Sequence, residues 1–168
     1  QPEPSTANPE PPKKMPQVKS QITINAPFET VWNLAQNVES FPKIMPDLDG
    51  VEILEESSPA PDVKRTVTKW NGRIKQFNRS IVWTEEDFWN STSGECQFRQ
   101  LEGDFNAYEG VWKFTKNGEK TDLDLTLDYA IEIPLVGALM KSVIQKLMQG
   151  NCDMMTGALQ KEAERMAA

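Results

Sequence analysis

The alternation of apolar and polar positions predicts that the ordered part of the chain begins with a strand near residue 18. Its apolar positions Ile22 and Ile24 fall on one face. A helix follows at Ala26-Pro27, because proline is tolerated in the first turn of a helix. A second short helix is expected from Ser40, which is a favourable N-cap residue. The sequence therefore predicts one strand and two short helices before the next strands.

Six further strands are predicted between residues 51 and 131, because short runs rich in apolar and β-branched residues are separated by turn residues. We place them at residues 51–55, 63–70, 73–84, 96–101, 106–115 and 122–131. Asn71-Gly72 and Asn117-Gly118 each predict a two-residue hairpin turn, and another turn is predicted at Asp87-Phe88. The last strand is the clearest, because its apolar positions all fall on one face: Leu123, Leu125, Leu127, Tyr129 and Ile131.

A helical period replaces the strand pattern after Pro134 and predicts one long helix over about residues 136–166. Its core-facing positions are expected at Leu139, Val143, Leu147, Met154, Ala158 and Leu159. The other end of the chain differs in composition, since six of the twelve prolines lie in residues 1–16. We interpret residues 1–16 as a flexible Pro-rich tail and residues 17–168 as one folded domain.

Composition and charge exclude several classes of function. The 168 residues suit a single domain, and the net charge of −7 disfavours nucleic acid or an anionic membrane as the main partner. The absence of histidine excludes Ser-His-Asp and Cys-His catalysis and His-ligated zinc. With only two cysteines, Cys96 and Cys152, no disulfide framework is expected. No apolar run approaches the length of a spanning helix, so no transmembrane segment is predicted.

One strand, two short helices, six antiparallel strands and a long terminal helix form the order of a helix-grip fold. Four segments agree with it: ITINAPFETVW at 22–32, VESFPKIMP at 38–46, LEGDF and GVWKF at 101–114, and IPLVG at 133–137. They resemble the Bet v 1-like, START-related (SRPBCC) superfamily, and within it the polyketide cyclase/dehydrase and coenzyme-Q-binding branch. The resemblance implies an α+β domain whose curved seven-stranded antiparallel sheet wraps around the long C-terminal helix. It also implies an elongated apolar cavity between sheet and helix.

Residues on the inner faces of these strands and on the helix are candidates for the wall of such a cavity. The alternative is that they simply fill a core, as aromatic residues and methionine usually do. The predicted ligand-binding residues are Arg79, Phe77, Ile81, Trp83, Tyr108, Trp112, Phe114, Leu125, Leu127, Tyr129, Ile144 and Met148.

Arg79 is the sharpest polar candidate among them. Alternation places it on the same side as Ile81 and Trp83, and an inward guanidinium needs an internal carboxylate or a ligand oxygen as partner. A salt bridge to an acidic residue such as Glu109, or a strand read one residue out of register, is the alternative. Aromatase/cyclases of the superfamily place an arginine in a comparable strand, which by resemblance implies a role in orienting a carbonyl. Tyr108 offers a phenol that can bind a ligand oxygen.

Three classes of function stay open at this point. The first is a binding or carrier protein for a hydrophobic or aromatic small molecule, such as a quinone, polyketide or lipid, in the internal cavity. The second is a polyketide cyclase/dehydrase of the aromatase type, and the third is an interaction module with a vestigial pocket. Without histidine, no acid/base constellation stands out among the carboxylates, tyrosines and lysines, which favours binding over catalysis.

The remaining expectations concern cofactors, partners and compartment. No catalytic residue, metal site or cofactor is predicted, and the expected partner is a hydrophobic small molecule. The oligomeric state stays open. The compartment also stays open, with the cytoplasm slightly favoured, because a chain that starts at Gln1 is compatible with an N-terminal targeting segment removed earlier.

Overall fold

Seven antiparallel strands form one sheet, in the spatial order first, seventh, sixth, fifth, fourth, third, second. The structure is a computed structural model that describes residues 15–132 and 140–168. The predicted tail up to residue 14 and the predicted helix start at residues 136–139 lie outside the described residues. The strands are β1 Gln17–Ile24, β2 Leu48–Ala60, β3 Val63–Ile74, β4 Arg79–Asn90, β5 Glu95–Gly103, β6 Ala107–Asn117 and β7 Lys120–Ala130.

The two short helices after β1 and the long C-terminal helix take the positions that the sequence predicts, whereas a helical turn at residues 75–77 replaces the start of the strand predicted at 73–84. Helix α1, Phe28–Gln36, and a 3-10 helix, Val38–Lys43, lie between β1 and β2. A second 3-10 helix, Lys75–Phe77, joins β3 to β4, and α2, Lys141–Ala167, ends the chain. The predicted helix-grip architecture is therefore confirmed. None of the helices in the described residues is long and apolar enough to cross a membrane.

Helix α2 lies along the edge strand β1 and covers the concave face of the sheet. The Ser20 hydroxyl oxygen is 2.7 Å from a carboxylate oxygen of Asp153 and 2.9 Å from the hydroxyl oxygen of Thr156. Three glutamines of α2 donate from their amide groups to backbone carbonyls of β1, which satisfies part of an otherwise open edge. These are Gln145, Gln149 and Gln160.

The buried stripe of α2 differs from the predicted one. Val143 is 38% exposed, and of the predicted positions that the structure describes only Leu159 is fully buried. The observed stripe is Met148, Cys152, Thr156, Leu159 and Ala163. It includes Thr156 because that hydroxyl finds a partner in Ser20 on β1, so a polar side chain is accommodated in the core. Counting apolar residues alone therefore misplaces the stripe.

Two of the three predicted turns are wrong, and the third is confirmed. Asn71 and Gly72 stay in β3, where they pair with Val82 and Ile81, and the chain turns instead at residues 75–78. Asp87-Phe88 stays in β4, because the strand continues to Asn90 and Asp87 pairs with Thr66. The predicted turn at Asn117-Gly118 is found, since Asn117 pairs with Lys120 and Gly118 has a φ of 63°. Long cross-strand ladders outweigh the local turn preference at the first two places.

Candidate functional site

An aromatic cluster lies on the concave side of the sheet. We call it the cavity cluster, and its members are Phe41, Trp70, Trp83, Phe98, Phe105 and Tyr108. The indoles of Trp70 and Trp83 stack with centroids 5.8 Å apart and planes 6° from parallel. The ring of Tyr108 lies 5.3 Å from that of Trp83 and 4.5 Å from that of Phe105. Packed rings of this kind form a rigid apolar wall with few polar atoms.

Two adjoining cavities lie between the cavity cluster and α2. The inner cavity has a volume of about 40 Å³, with Trp83 and Tyr108 on the sheet side and Met148 and Cys152 on the helix side. The outer cavity has a volume of about 310 Å³ and lies between residues 75–77 and the first half of α2. Both are lined by Asp47, Arg73, Ile74, Met148 and Asn151. Because they share this wall, the two cavities form one path toward the cavity cluster.

Two carboxyl groups are buried beside the cavity cluster. Glu85 and Asp87, which we call the acid pair, are each 5% exposed. The indole N–H of Trp83 donates to Oε1 of Glu85 over 2.9 Å. The hydroxyls of Thr66 and Thr68 donate to Oδ2 of Asp87 over 3.1 and 2.8 Å. Within residues 15–132 and 140–168, the donors to the acid pair are thus indole and hydroxyl groups, with no lysine or arginine among them.

The surroundings of the acid pair favour a proton on Glu85. Burial raises the pKa of Glu85 well above its ordinary value, and the charge and hydrogen bonding of Asp87 raise it further. Asp87, in contrast, accepts hydrogen bonds from two hydroxyls. Thr68 donates to Asp87 because its own oxygen already accepts the indole N–H of Trp70 over 2.8 Å. The acid pair therefore combines a carboxyl group that retains its proton with a second one that accepts hydrogen bonds from the core.

Two more titratable side chains, Cys96 and Tyr108, face the acid pair, and Cys152 faces Tyr108. Burial raises the pKa of Tyr108 well above its usual value, and the charges of Glu85, Cys152 and Asp87 add to this. Burial also raises the pKa of Cys96, with Asp87 and Glu85 contributing, and it raises the pKa of Cys152 to about 12. Tyr108 is consequently a phenol donor at neutral pH, and neither thiol is a nucleophile there.

Seven of the twelve predicted ligand-binding residues line the two cavities. Those of the inner cavity are Ile81, Trp83, Tyr108, Leu127 and Met148. Phe77 and Ile144 line the outer cavity. Trp112, Phe114, Leu125 and Tyr129 pack elsewhere in the core. Phe114, for example, meets Trp32 of α1 edge to face at 5.2 Å, and the Tyr129 hydroxyl donates to Gln145 over 2.8 Å.

The expectation that Arg79 points inward is wrong. Arg79 is the exposed first residue of β4 and pairs with Ile74 next to the turn. The alternation itself is correct, because Ile81 and Trp83 are buried further along the same strand. The first residue of the strand lies beside the exposed turn at residues 75–78, so solvent solvates its charge and no internal partner is needed.

Replacing Arg79 with methionine is expected to change the free energy of unfolding by less than about 0.5 kcal/mol, because surface substitutions away from special contacts have small effects. Arg65→Met is the variant whose free energy of unfolding is compared with that of Arg79→Met. Arg65 is hydrogen-bonded, since it donates to Glu55 and Glu86 over 3.0 and 2.8 Å. Urea denaturation of both variants measures the difference. A clear loss of stability for Arg79→Met would contradict the exposed position.

The acid pair is the part of the site that sequence reasoning missed. The sequence prediction ended the strand at Thr84 and placed a turn at Asp87. Neither Glu85 nor Asp87 was therefore assigned to a face of the sheet. The alternation of strand residues between the two faces of the sheet nevertheless indicated their position. If the strand continues past Thr84, Glu85 and Asp87 fall on the same face as Ile81 and Trp83. The structure therefore corrects the interpretation that no acid/base constellation stands out. No group of three or more metal-ligating side chains occurs in the described part of the chain.

Solved structures with the same fold confirm the architecture. A protein from Thermus thermophilus is 30% identical, with a TM-score of 0.80 over 91% of this chain and 100% of that chain. The Zhui aromatase/cyclase from Streptomyces sp. R1128 is 23% identical, with a TM-score of 0.77 over 92% of this chain and 96% of that chain. The latter likeness concerns the fold alone.

Sequence comparison finds related proteins of more than one kind. The ribosome association toxin RatA of Pseudomonas aeruginosa is 25% identical over 143 residues, which are 83% of this chain and 90% of the relative. The model of the polyketide cyclase / dehydrase and lipid transport family matches residues 24–156. That range contains the acid pair, the last residue of β1, all of β2 to β7, and the first half of α2. The chain therefore belongs to the polyketide cyclase / dehydrase and lipid transport family.

Proposed function

We propose that this protein binds a hydrophobic, aromatic small molecule in the two adjoining cavities and holds it without changing it. The observation that carries the proposal is the path from the outer cavity to the cavity cluster, between the sheet and α2. The inner cavity is lined by aromatic and methionine side chains such as Trp83, Phe105 and Met148 among other apolar residues, whereas the outer cavity also has charged and amide side chains in its wall. Aromatic and methionine side chains match the flat apolar faces of a ring system.

The size of the outer cavity supports a ligand of two or three rings. Its volume of about 310 Å³ lies at the lower end of the range of small-molecule sites, about 300–1,000 Å³. The family description covers lipid transport as well as cyclases, and one structural relative is named as an aromatase/cyclase. A quinone, a polyketide or a lipid with a ring system is therefore the ligand class that we propose.

Filling the outer cavity is expected to weaken binding of an apolar ring probe such as fluorene. Gly150 lines the outer cavity, and nothing lies within 4 Å of where its Cβ would be, so Gly150→Phe places a ring in the path of the ligand. We expect the dissociation constant to rise by at least about tenfold, which corresponds to about 1.4 kcal/mol. Isothermal titration calorimetry at fixed pH measures the change.

Gly157→Phe is the matched control, because Gly157 lies on the same helix with open space around its Cβ position. It should leave the affinity for fluorene unchanged. Native mass spectrometry and solvent extraction of the purified protein would additionally identify a natural ligand. Absence of fluorene binding by the wild type, or equal binding by wild type and Gly150→Phe, would contradict binding in these cavities.

A cyclase or dehydrase is the second candidate, and the acid pair is the observation that favours it. Enolisation and dehydration need a base and an acid near the substrate. Two carboxyl groups, Glu85 and Asp87, lie directly behind Trp83 in the wall of the inner cavity, and the raised pKa of Glu85 suits the acid. Incubating the protein with an extracted ligand distinguishes the two functions. Release of one water from the ligand, abolished in Asp87→Asn, would support the enzyme, whereas recovery of the unchanged ligand supports binding.

A further inference from the structure

The difference in volume between the two cavities limits which part of a ligand reaches the interior. The inner cavity of about 40 Å³ can hold a few water molecules at most, since one water needs about 10–15 Å³ of such volume. The outer cavity of about 310 Å³ has room for rings. A ligand whose rings occupy the outer cavity can therefore insert only a small substituent into the inner one.

Tyr108 is the hydrogen-bond donor that such a substituent meets. The inner cavity is lined by Trp83, Tyr108 and Cys152, among mainly apolar residues. The indole N–H of Trp83 is already used, because it donates to Glu85. The thiol of Cys152 is a weak donor. Arg73 and Asn151 also carry donors, but they lie on the wall that the inner cavity shares with the outer one. On the rest of the inner wall the phenol of Tyr108, which is protonated at neutral pH, is the strong donor.

Glu85 is connected to Tyr108 through Trp83, which donates to Glu85 and whose ring lies 5.3 Å from that of Tyr108. A neutral Glu85 competes less for the phenol proton than an ionised one would, because charged acceptors form the stronger hydrogen bonds. The titratable groups that face Glu85 are Asp87 on its own strand, Cys96 on β5 and Tyr108 on β6, and Cys152 on α2 faces Tyr108. All of them are anionic when ionised, so none of them would favour an ionised Glu85.

The acid pair lies behind the wall of the inner cavity, because Trp83 both lines that cavity and donates to Glu85. Two buried carboxyl groups without a cation are costly, and apolar side chains of similar size would fill the same space. Titratable groups that are buried beside a cavity are typical of functional sites. The arrangement thus points to a polar ligand atom in the inner cavity.

We propose that the hydroxyl of Tyr108 binds a carbonyl or phenolic oxygen that an aromatic ligand inserts into the inner cavity. This inference rests on the proposed function, since it requires the rings to lie in the outer cavity. It adds the chemical class of the ligand, which is an aromatic compound with an exposed oxygen acceptor. It also makes binding dependent on pH.

Two probes of nearly equal size test the inference: 9-fluorenone, which carries a carbonyl, and fluorene, which does not. Wild-type protein is expected to bind 9-fluorenone about tenfold more tightly than fluorene, as one hydrogen bond would give. Tyr108→Phe should bring the two affinities together without changing that for fluorene. Tyr129→Phe is the matched control, because the Tyr129 hydroxyl donates to Gln145 and its ring lies away from the inner cavity, and it should keep the preference.

The pH dependence of the same ratio provides a second test, which holds even if Tyr108→Phe does not fold. In the wild type the preference for 9-fluorenone should be lost as pH rises through the raised pKa of Glu85. Glu85→Gln stays neutral and should keep the preference at the higher pH. Equal binding of the two probes by the wild type overturns the oxygen anchor but leaves the proposed function intact. Binding of neither probe overturns the proposed function and the anchor with it.

Discussion

Replacing Gly103 with alanine is expected to lower the free energy of unfolding by about 3 kcal/mol. Gly103 has a φ of 148°, which side-chain-bearing residues rarely adopt. A Cβ atom built there would lie 2.5 Å from Cα of Trp83 and 2.7 Å from the backbone oxygen of Val82. Because these two atoms belong to the backbone of β4, the clash cannot be relieved by rotating a side chain. Strand β4 would have to move at Trp83, which is part of the cavity cluster.

Gly150→Ala is the control, and it should act in the opposite direction. Gly150 lies inside α2 and nothing is within 4 Å of its Cβ position, so alanine should stabilise the helix by up to about 1 kcal/mol. Urea denaturation followed by tryptophan fluorescence measures both variants. If Gly103→Ala were as stable as the wild type, the close approach of β5 to β4 at this point would be incorrect.

Gly103 also illustrates what a sequence can predict about this fold. The segment LEGDF pointed to the family, but it did not explain why glycine stands at its centre. The order of strands and helices was predictable, because it follows from the change of hydrophobic period along the chain. The closeness of β5 to the backbone of β4 is a property of the packed sheet, and only the structure reveals it.

The candidate site was predictable where alternation extends without interruption. Leu127 and Trp83 were placed on the inner face by parity alone, and both line the inner cavity. Arg79 was misplaced because alternation along a strand predicts the face on which a side chain lies, but it does not predict where that face stops being buried. Glu85 and Asp87 were missed because a run of charged residues resembles a turn, although these two side chains find donors in the core.

The contribution of Glu85 to the stability of the wild type is expected to fall as pH rises from the ordinary carboxyl range toward the raised pKa of Glu85, with a slope of up to about 1.4 kcal/mol per pH unit. Burial and the charge of Asp87 raise the pKa of Glu85 in the folded state above its value in the unfolded chain. Above the unfolded value the unfolded chain releases this proton while the folded state retains it, so the unfolded state gains in stability. The loss of stability ends when the pH exceeds the pKa of Glu85 in the folded state.

Glu85→Gln should remove this slope. Glutamine has nearly the shape of the protonated carboxyl, and its amide oxygen can still accept the indole N–H of Trp83. Its amide nitrogen can donate toward Asp87, as the proton of Glu85 does in the wild type. The variant should therefore match the wild type near pH 5 and exceed its stability progressively toward pH 8.

Glu86→Gln is the control that distinguishes the pH dependence caused by Glu85 from that caused by other carboxyl groups. Glu86 is the next residue of β4, and hydrogen bonds from Arg65 are the main cause that lowers its pKa, with Arg99 adding to it. A lowered pKa stabilises the fold at higher pH and loses that contribution only as pH falls below the ordinary carboxyl range. Glu86→Gln should therefore keep the wild-type slope between about pH 5 and 8. If Glu85→Gln and the wild type had equal slopes there in urea denaturation, Glu85 would be ionised in the folded protein, and the neutral acid beside Tyr108 would not exist.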